Sequence, residues 1–170
     1  MTGDLLPQAP LVGEEISLPR FQKAASGPVT VEPLAVFGPS AANPVLRFGW
    51  YSAGSVASLN EVFTVGNSPA SNAQTLNVPI SGAASFDPGA GAFGFYVTWP
   101  QLEHTSFSED ALNTWDSGKH KVRVFPYRTA TGAIVPNAYV VAVEDRFGPD
   151  NQDLVFVVRN LRPEGQGPPT

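Results

Sequence analysis

Hydrophobic and polar residues alternate with a period of two along much of this chain, which is the pattern of strands with one buried face. Phe93, Phe95, Val97 and Trp99, for example, share one face of such a segment. Short stretches rich in Gly, Pro, Asn and Asp separate the segments and are typical of turns. The pattern predicts strands at 29–37, 45–52, 61–65, 73–80, 92–99, 120–127, 138–145 and 153–160, and a short helix at 109–115.

This succession of short strands and turns favours one fold class, an all-β antiparallel β-sandwich or jelly roll of about eight strands with one short helix. The chain has 16 Gly and 17 Pro among 170 residues, a content that suits many turns and few helices. We expect residues 28–162 to form the β-sandwich module, after a linker or irregular lead-in at 1–27 and before a C-terminal linker at 163–170. Flanks of this kind are typical of one module in a larger multidomain chain.

Charge and cysteine content exclude several function classes. The net charge of −5 argues against a nucleic-acid partner, because phosphates require a basic face. The absence of cysteine excludes disulfides, thiolate metal sites and cysteine nucleophiles. No apolar stretch approaches the roughly 20 residues of a membrane span, so none is expected. The first residues also lack the basic and apolar regions of a signal peptide.

The densest group of acidic residues lies between the last two predicted strands. Four carboxylates, at Glu144, Asp145, Asp150 and Asp153, fall within ten residues. A hairpin places the end of one strand beside the start of the next, so we expect Asp145 and Asp153 to face each other across its mouth. Close carboxylates repel unless they are solvated or share a cation, and an oxygen-only cluster suits calcium. The sequence therefore predicts a calcium site, assembled from separate segments because the EF-hand pattern is absent.

The same hairpin residues have a purely structural alternative. Asp150 and Asn151 are common turn formers, and Asp153 could cap a strand end beside Arg146 or Arg159. The cation is favoured over this alternative because the acids are so dense in the sequence.

Two further acids, Glu109 and Asp110, begin the predicted helix and are candidates to lie close to the same cation. The alternative for Glu109 is a capping box with Ser106, which would place both acids in the first helical turn. An enzymatic alternative is a glycosidase pair, for example Glu109 with Asp153 or Glu144. Such a pair needs carboxyl groups about 5 Å or about 6.5–9.5 Å apart in a cleft. The G-x-S-x-G and H-E-x-x-H motifs are missing, and the chain is predicted not to be an enzyme.

Four aromatic residues at the ends of predicted elements are candidates for a sugar-binding platform: Trp50, Tyr51, Trp99 and Trp115. An exposed aromatic ring can stack on the apolar face of a sugar, while nearby Asn, Asp and Gln bond its hydroxyl groups. The alternative is that these rings belong to the hydrophobic core, as large aromatic residues in sheets usually do.

Several segments together resemble a β-sandwich module of secreted bacterial proteins that occurs beside malectin-like, lectin-like and glycoside-hydrolase domains. The segments are FGWYSAG, FDPGAGAFGFYVTWP, FSEDALNTW, HKVRVFPYR and NAYVVAVEDRFGPDNQDLVFVVRN, within residues 48–163. The last segment is also similar to calcium-associated C-terminal modules of bacterial adhesins, although Gln152 stands where an acid or an aromatic residue is expected. The acids that match this motif are Glu109, Asp110, Glu144, Asp145 and Asp153.

The resemblance implies a non-catalytic accessory module that is secreted or lies at the cell surface and binds a glycan or polysaccharide. Together with the acids, it leads to the hypothesis of a carbohydrate-binding module with a calcium site at one end of the sandwich. Two alternatives stay open, a structural spacer or adhesion module without a ligand, and a glycoside hydrolase that uses a carboxylate pair.

Overall fold

The computed structural model describes residues 15–16, 19–37, 44–66, 75–76, 78–145 and 153–165. They form two antiparallel sheets around one core, which confirms the predicted all-β sandwich. The elements are β1 (Phe21–Lys23), β2 (Val29–Val36), β3 (Leu46–Ser52), β4 (Leu59–Val65), β5 (Thr75–Leu76), β6 (Ile80–Gly82), β7 (Ser85–Phe86), β8 (Phe93–Trp99), β9 (His104–Phe107), a 3-10 turn (Asp110–Leu112), β10 (Val122–Arg128), β11 (Ile134–Val143), β12 (Leu154–Arg159) and β13 (Leu161–Pro163).

The seven-stranded sheet has the order β13-β1-β8-β3-β4-β6, and β9 also pairs with β8. The six-stranded sheet has the order β10-β11-β12-β2-β5, and β7 also pairs with β2. In the second sheet β11 pairs with β12 from Ala138 opposite Arg159 to Val143 opposite Leu154. This register decides which residues meet at the end of the sheet.

Aromatic rings from both sheets fill the core. The Phe48 ring of β3 lies 5.8 Å from the Phe95 ring of β8 and 4.7 Å from the Phe156 ring of β12, measured between centroids. All three side chains are buried, and each contributes roughly 1.5–3 kcal/mol to folding. The two-residue period noted in the sequence reflects this arrangement, because alternate residues of each strand point between the sheets.

The predicted helix at 109–115 is reduced to the 3-10 turn of Asp110–Leu112. The predicted capping box does not form, because Ser106 lies in β9 and its hydroxyl group donates to the Glu144 carbonyl oxygen at 2.8 Å. Glu109 precedes the turn but makes no side-chain capping bond. Among the described residues, no helix has the length and apolar character needed to cross a membrane.

Part of the predicted lead-in at 1–27 belongs to the sandwich. Phe21 in β1 is buried and pairs with Phe93 of β8 on one side and with Pro163 of β13 on the other. Before it, the Ile16 amide donates to the Val124 carbonyl oxygen of β10 at 2.8 Å. Ile16 therefore lies at the edge of the six-stranded sheet, and Phe21 lies in the seven-stranded sheet. Neither contact shows in the sequence pattern, because each involves a very short segment.

Candidate functional site

Three acidic residues meet at the end of the six-stranded sheet. Val143 ends β11 opposite Leu154, which begins β12, so Glu144 and Asp145 leave one strand where Asp153 enters the other. One carboxylate oxygen from each acid lies within 4.8 Å of the others, and all three residues are only 3–4% exposed. We call Glu144, Asp145 and Asp153 the acidic triad.

Backbone hydrogen bonds from neighbouring strands fix the triad. The Asp145 amide donates to Oδ2 of Asp153 at 2.6 Å. The Phe37 amide, just after β2, donates to the Asp153 carbonyl oxygen at 2.9 Å. The Glu144 amide donates to the Lys121 carbonyl oxygen, just before β10, also at 2.9 Å. The triad thus sits where the ends of four strands of this sheet come together.

Strand β9 of the other sheet closes one side of the triad. Besides the Ser106 bond to the Glu144 carbonyl oxygen, Nε2 of His104 contacts the Asp145 carbonyl oxygen at 2.5 Å. A carbonyl oxygen can only accept, so His104 donates through Nε2. Nothing in the short polar segment HTSF indicates that β9 pairs with β8, so the sequence pattern does not place His104 near the triad.

Burial and mutual repulsion govern the protonation of the triad. Burial, followed by the negative charges of Asp145 and Glu144, raises the pKa of Asp153 to about 10, although the Asp145 amide bond acts in the opposite direction. Three ionised carboxylates this close in a poorly solvated site are unfavourable. Protonation of Asp153, or a cation bound in place of the proton, relieves this repulsion.

The structure does not bring Glu109 and Asp110 to the triad, which corrects their expected place beside the cation. Oε1 of Glu109 accepts a hydrogen bond from Nε of Arg20 at 2.6 Å. Oδ1 of Asp110 accepts one from Nδ1 of His120 at 3.0 Å. Both acids therefore have basic partners of their own.

The structure describes only some of the other residues that were predicted to have a role in the hairpin. Asp150, predicted as a metal ligand, lies outside the described residues, and so does Arg146. Nη1 of Arg159 bonds the Glu32 carboxylate at 2.9 Å, in the ladder between β12 and β2. The described contacts of Asp153 are instead with the backbone and with the other two acids of the triad.

Two of the four predicted platform aromatics are core residues. Tyr51 and Trp99 are both 0% exposed, so neither ring can present a face to a sugar. This corrects their expected role in ligand binding. The sequence placed them near strand ends, where the ring could have turned to either side; in the structure they are enclosed.

The other two aromatics are half-buried and already packed. The Trp50 ring stacks on Phe86 with a centroid distance of 5.8 Å and an interplanar angle of 14°. The Trp115 ring stacks on His104 at 3.8 Å and 14°, and the ammonium group of Lys121 lies 4.5 Å from its centroid. The predicted four-residue platform is therefore not assembled.

Comparison with known proteins yields no relatives. No protein-family model matches the chain, and no significant match is found among curated proteins or among solved structures. The resemblance to modules of secreted bacterial proteins therefore rests on sequence segments alone and stays a prediction. Function has to be inferred from the geometry of this chain.

Proposed function

We propose that this protein is a non-catalytic β-sandwich module that binds calcium through the acidic triad. The observation that carries the proposal is the convergence of three nearly buried carboxylates, with one oxygen of each within 4.8 Å of the others. Three carboxylates supply up to six oxygens, whereas calcium takes about six to eight at roughly 2.3–2.6 Å. An oxygen-only donor set also disfavours zinc and copper, which prefer nitrogen and sulfur.

A shared proton is the competing occupant of the triad. A calcium ion brings two positive charges to these oxygens, whereas a proton brings one. The cation therefore relieves more of the repulsion that raises the pKa of Asp153. Since proton and cation compete for the same oxygens, calcium binding is expected to be tighter at higher pH.

The role that fits this position is structural. The Phe37 amide and the Ser106 hydroxyl group attach β2 and β9 to the backbone of the triad, so strands from both sheets meet there. A cation that holds the carboxylates of β11 and β12 together would stabilise that end of the sandwich. The chain has no cysteine, so no disulfide can link these strands.

The hydrolase alternative is less compatible with this geometry. Glu144 and Asp153 are close enough for a retaining pair, but both are nearly buried, whereas a glycosidase pair must face a substrate cleft. Glu109, the other candidate, is bonded to Arg20.

Carbohydrate binding stays a prediction, because the four aromatic residues do not form a platform and the triad is nearly buried. A glycan array in calcium and in EDTA tests this. A signal only with calcium supports glycan binding, and no signal in either supports a spacer or adhesion module.

Thermal unfolding in calcium, magnesium and EDTA tests the calcium site. At a calcium concentration about a hundred times the Kd, the melting temperature should rise by roughly 5–10 °C. Glu144→Gln should abolish the rise, whereas Glu61→Gln, at an exposed acid paired with Arg47, should retain it. An identical melt in calcium and in EDTA, or a full response in Glu144→Gln, would contradict the proposal.

A further inference from the structure

We propose that His120 is a pH-sensitive latch, whose protonated ring holds Glu15 and Ile16 on the outer edge of β10 and whose deprotonation loosens this attachment. We call Glu15 and Ile16 the edge segment. Ile16 lines a cavity of about 220 Å³ together with Val122 and Val124 of β10, so detachment of the edge segment removes one wall of this cavity. The triad residues do not line the cavity, and the inference does not depend on calcium binding.

The edge segment is attached to β10 by a small number of contacts. The Ile16 amide donates to the Val124 carbonyl oxygen at 2.8 Å. Because β10 pairs with β11 on its other side, this bond lies on the outer edge of the six-stranded sheet. The Ile16 side chain is partly buried and packs against the core. An attachment of one backbone bond and one side chain can open locally while the rest of the sandwich stays folded.

The His120 ring joins the edge segment to the 3-10 turn. Nε2 of the ring lies 2.5 Å from Oε1 of Glu15, and Nδ1 lies 3.0 Å from Oδ1 of Asp110. Ionised carboxylates only accept hydrogen bonds, so both ring nitrogens must carry a proton to make the two contacts. A neutral ring has a single N–H and no positive charge. Loss of the proton therefore removes one bond and leaves the other without charge assistance.

The other charged groups at this contact do not replace the histidine. Nη1 of Arg123 lies 3.6 Å from Oε2 of Glu15, which is an ion-pair distance but too long for a hydrogen bond. Arginine keeps its charge, so this attraction is the same in both states of the ring. Two neighbouring acids already have basic partners, Glu109 with Arg20 and Asp116 with Lys121. His120 is the residue of this contact whose ordinary pKa lies near neutral pH.

The pKa of His120 gives the direction of the switch. Burial lowers this pKa, but the bonds to Glu15 and Asp110 raise it by more, so it lies above the ordinary value of 6.5. When the edge segment is detached, the ring loses Glu15 and its pKa decreases. The attached state therefore binds the proton more tightly. Its stabilisation is complete below about pH 6.5 and is lost as the pH rises through the higher pKa of the attached state.

Hydrogen exchange of the Ile16 amide tests the latch, measured by NMR on the full chain between about pH 5.5 and pH 8.5. The observed rate, divided by the intrinsic rate at each pH, gives the protection of this amide. Protection should decrease about five- to tenfold over this range, because a charge-assisted hydrogen bond is roughly twice as strong as a neutral one. The decrease should follow the titration of the His120 ring protons.

Two substitutions separate the latch from a pH effect on the whole chain. His120→Gln removes the titrating group and Glu15→Gln removes its charged partner, so each should lower the protection of Ile16 at pH 5.5 and abolish its dependence on pH. Asp87→Asn, at an acid paired with Lys23, is the control and should keep the dependence. The backbone spectrum of each variant shows whether it is folded. The proposal is overturned if the protection of Ile16 in the unmodified chain is the same at both pH values, or if either Gln variant keeps the full dependence.

Discussion

The Asp145 amide donates a hydrogen bond of 2.6 Å to Oδ2 of Asp153 and so joins the end of β11 to the start of β12. This bond favours an ionised Asp153. Burial and the charges of Asp145 and Glu144 favour the protonated form, and together they raise the pKa of Asp153 to about 10. The pKa of Asp153 therefore reflects opposing effects. A bound cation would lower this pKa and favour the ionised carboxylate.

The first prediction is that the calcium-free protein loses stability as the pH rises. In the unfolded chain Asp153 has its ordinary pKa of 3.8, and in the folded chain its pKa is about 10. Between these values the folded state binds more protons, so the free energy of unfolding decreases with rising pH. Urea unfolding in EDTA should give a value at pH 8 that is lower than at pH 5, by on the order of a few kcal/mol. Equal stability at the two pH values would contradict this prediction.

The second prediction is that Asp153→Asn stabilises the calcium-free protein at pH 8 and removes its response to calcium. The asparagine oxygen can still accept from the Asp145 amide, and its amide group can donate to Glu144 without taking up a proton. The expected gain in the free energy of unfolding is about 1–3 kcal/mol. Glu32→Gln, at an exposed acid, is the control and should change stability by less than about 0.5 kcal/mol. If Asp153→Asn responds to calcium as strongly as the unmodified chain, the triad is not the calcium site.

The third prediction is that calcium binding releases a proton at pH 7. The proton held at Asp153 must leave when the cation takes its place. Isothermal titration calorimetry in Tris and in PIPES, whose ionisation enthalpies differ, should give heats that differ by the equivalent of about one proton. Equal heats in the two buffers would show that the triad binds calcium without displacing a proton.

The fourth prediction concerns His120, whose ring joins two acids from separate segments. Nδ1 lies 3.0 Å from Oδ1 of Asp110, and Nε2 lies 2.5 Å from Oε1 of Glu15. Ionised carboxylates only accept hydrogen bonds, so both contacts require the protonated ring. Burial lowers the pKa of His120, but the bonds to Glu15 and Asp110 outweigh it, and the net result is a raised pKa.

The stabilisation from these contacts is complete below the unfolded pKa of about 6.5 and is lost as the pH rises through the higher folded pKa. Asp110→Asn should lower the pKa of His120, measured by NMR titration of its ring protons. Asp87→Asn, at an acid paired with Lys23, should leave it unchanged. If the pKa of His120 is the same in both variants, Asp110 does not stabilise the protonated ring.

The fifth prediction tests the packing of the seven-stranded sheet at Gly49. A Cβ atom on this residue would lie 2.1 Å from the Asn60 carbonyl oxygen and 2.6 Å from a ring carbon of Tyr96. Gly49→Ala should therefore lower the free energy of unfolding by about 1–3 kcal/mol or more. Gly91→Ala, where a Cβ atom would meet nothing within 4 Å, is the matched control and should be neutral or slightly stabilising.

The last two long strands and the acids between them could be predicted from the sequence because the necessary information is local. Two apolar runs with a turn between them form a hairpin, and its register places Glu144 and Asp145 opposite Asp153. The prediction of a single strand at 73–80 was wrong, because a local pattern does not show that a segment is divided between two sheets. Its pattern is continuous, but in the described residues the strand is divided into β5 on one sheet and β6 on the other.

The partners of the triad depend on contacts between distant segments. His104 reaches the triad only because β9 folds back on β8, and Phe21 is buried only because β1 lies between β8 and β13. Glu109 was expected near calcium because it matched an acidic motif. In the structure it pairs instead with Arg20, which is 89 residues away in the sequence. Spacing along the chain carries no information about contacts of this kind.

The antiparallel pairing of β1 with β13 has a mechanical consequence. Phe21 lies opposite Pro163, so the chain enters β1 and leaves β13 at the same end of the pair. Tension applied through the flanking segments would open the hydrogen bonds one after another, as in unzipping, instead of shearing them all together. Separating β1 from β13 in this way requires less force than shearing the same hydrogen bonds together.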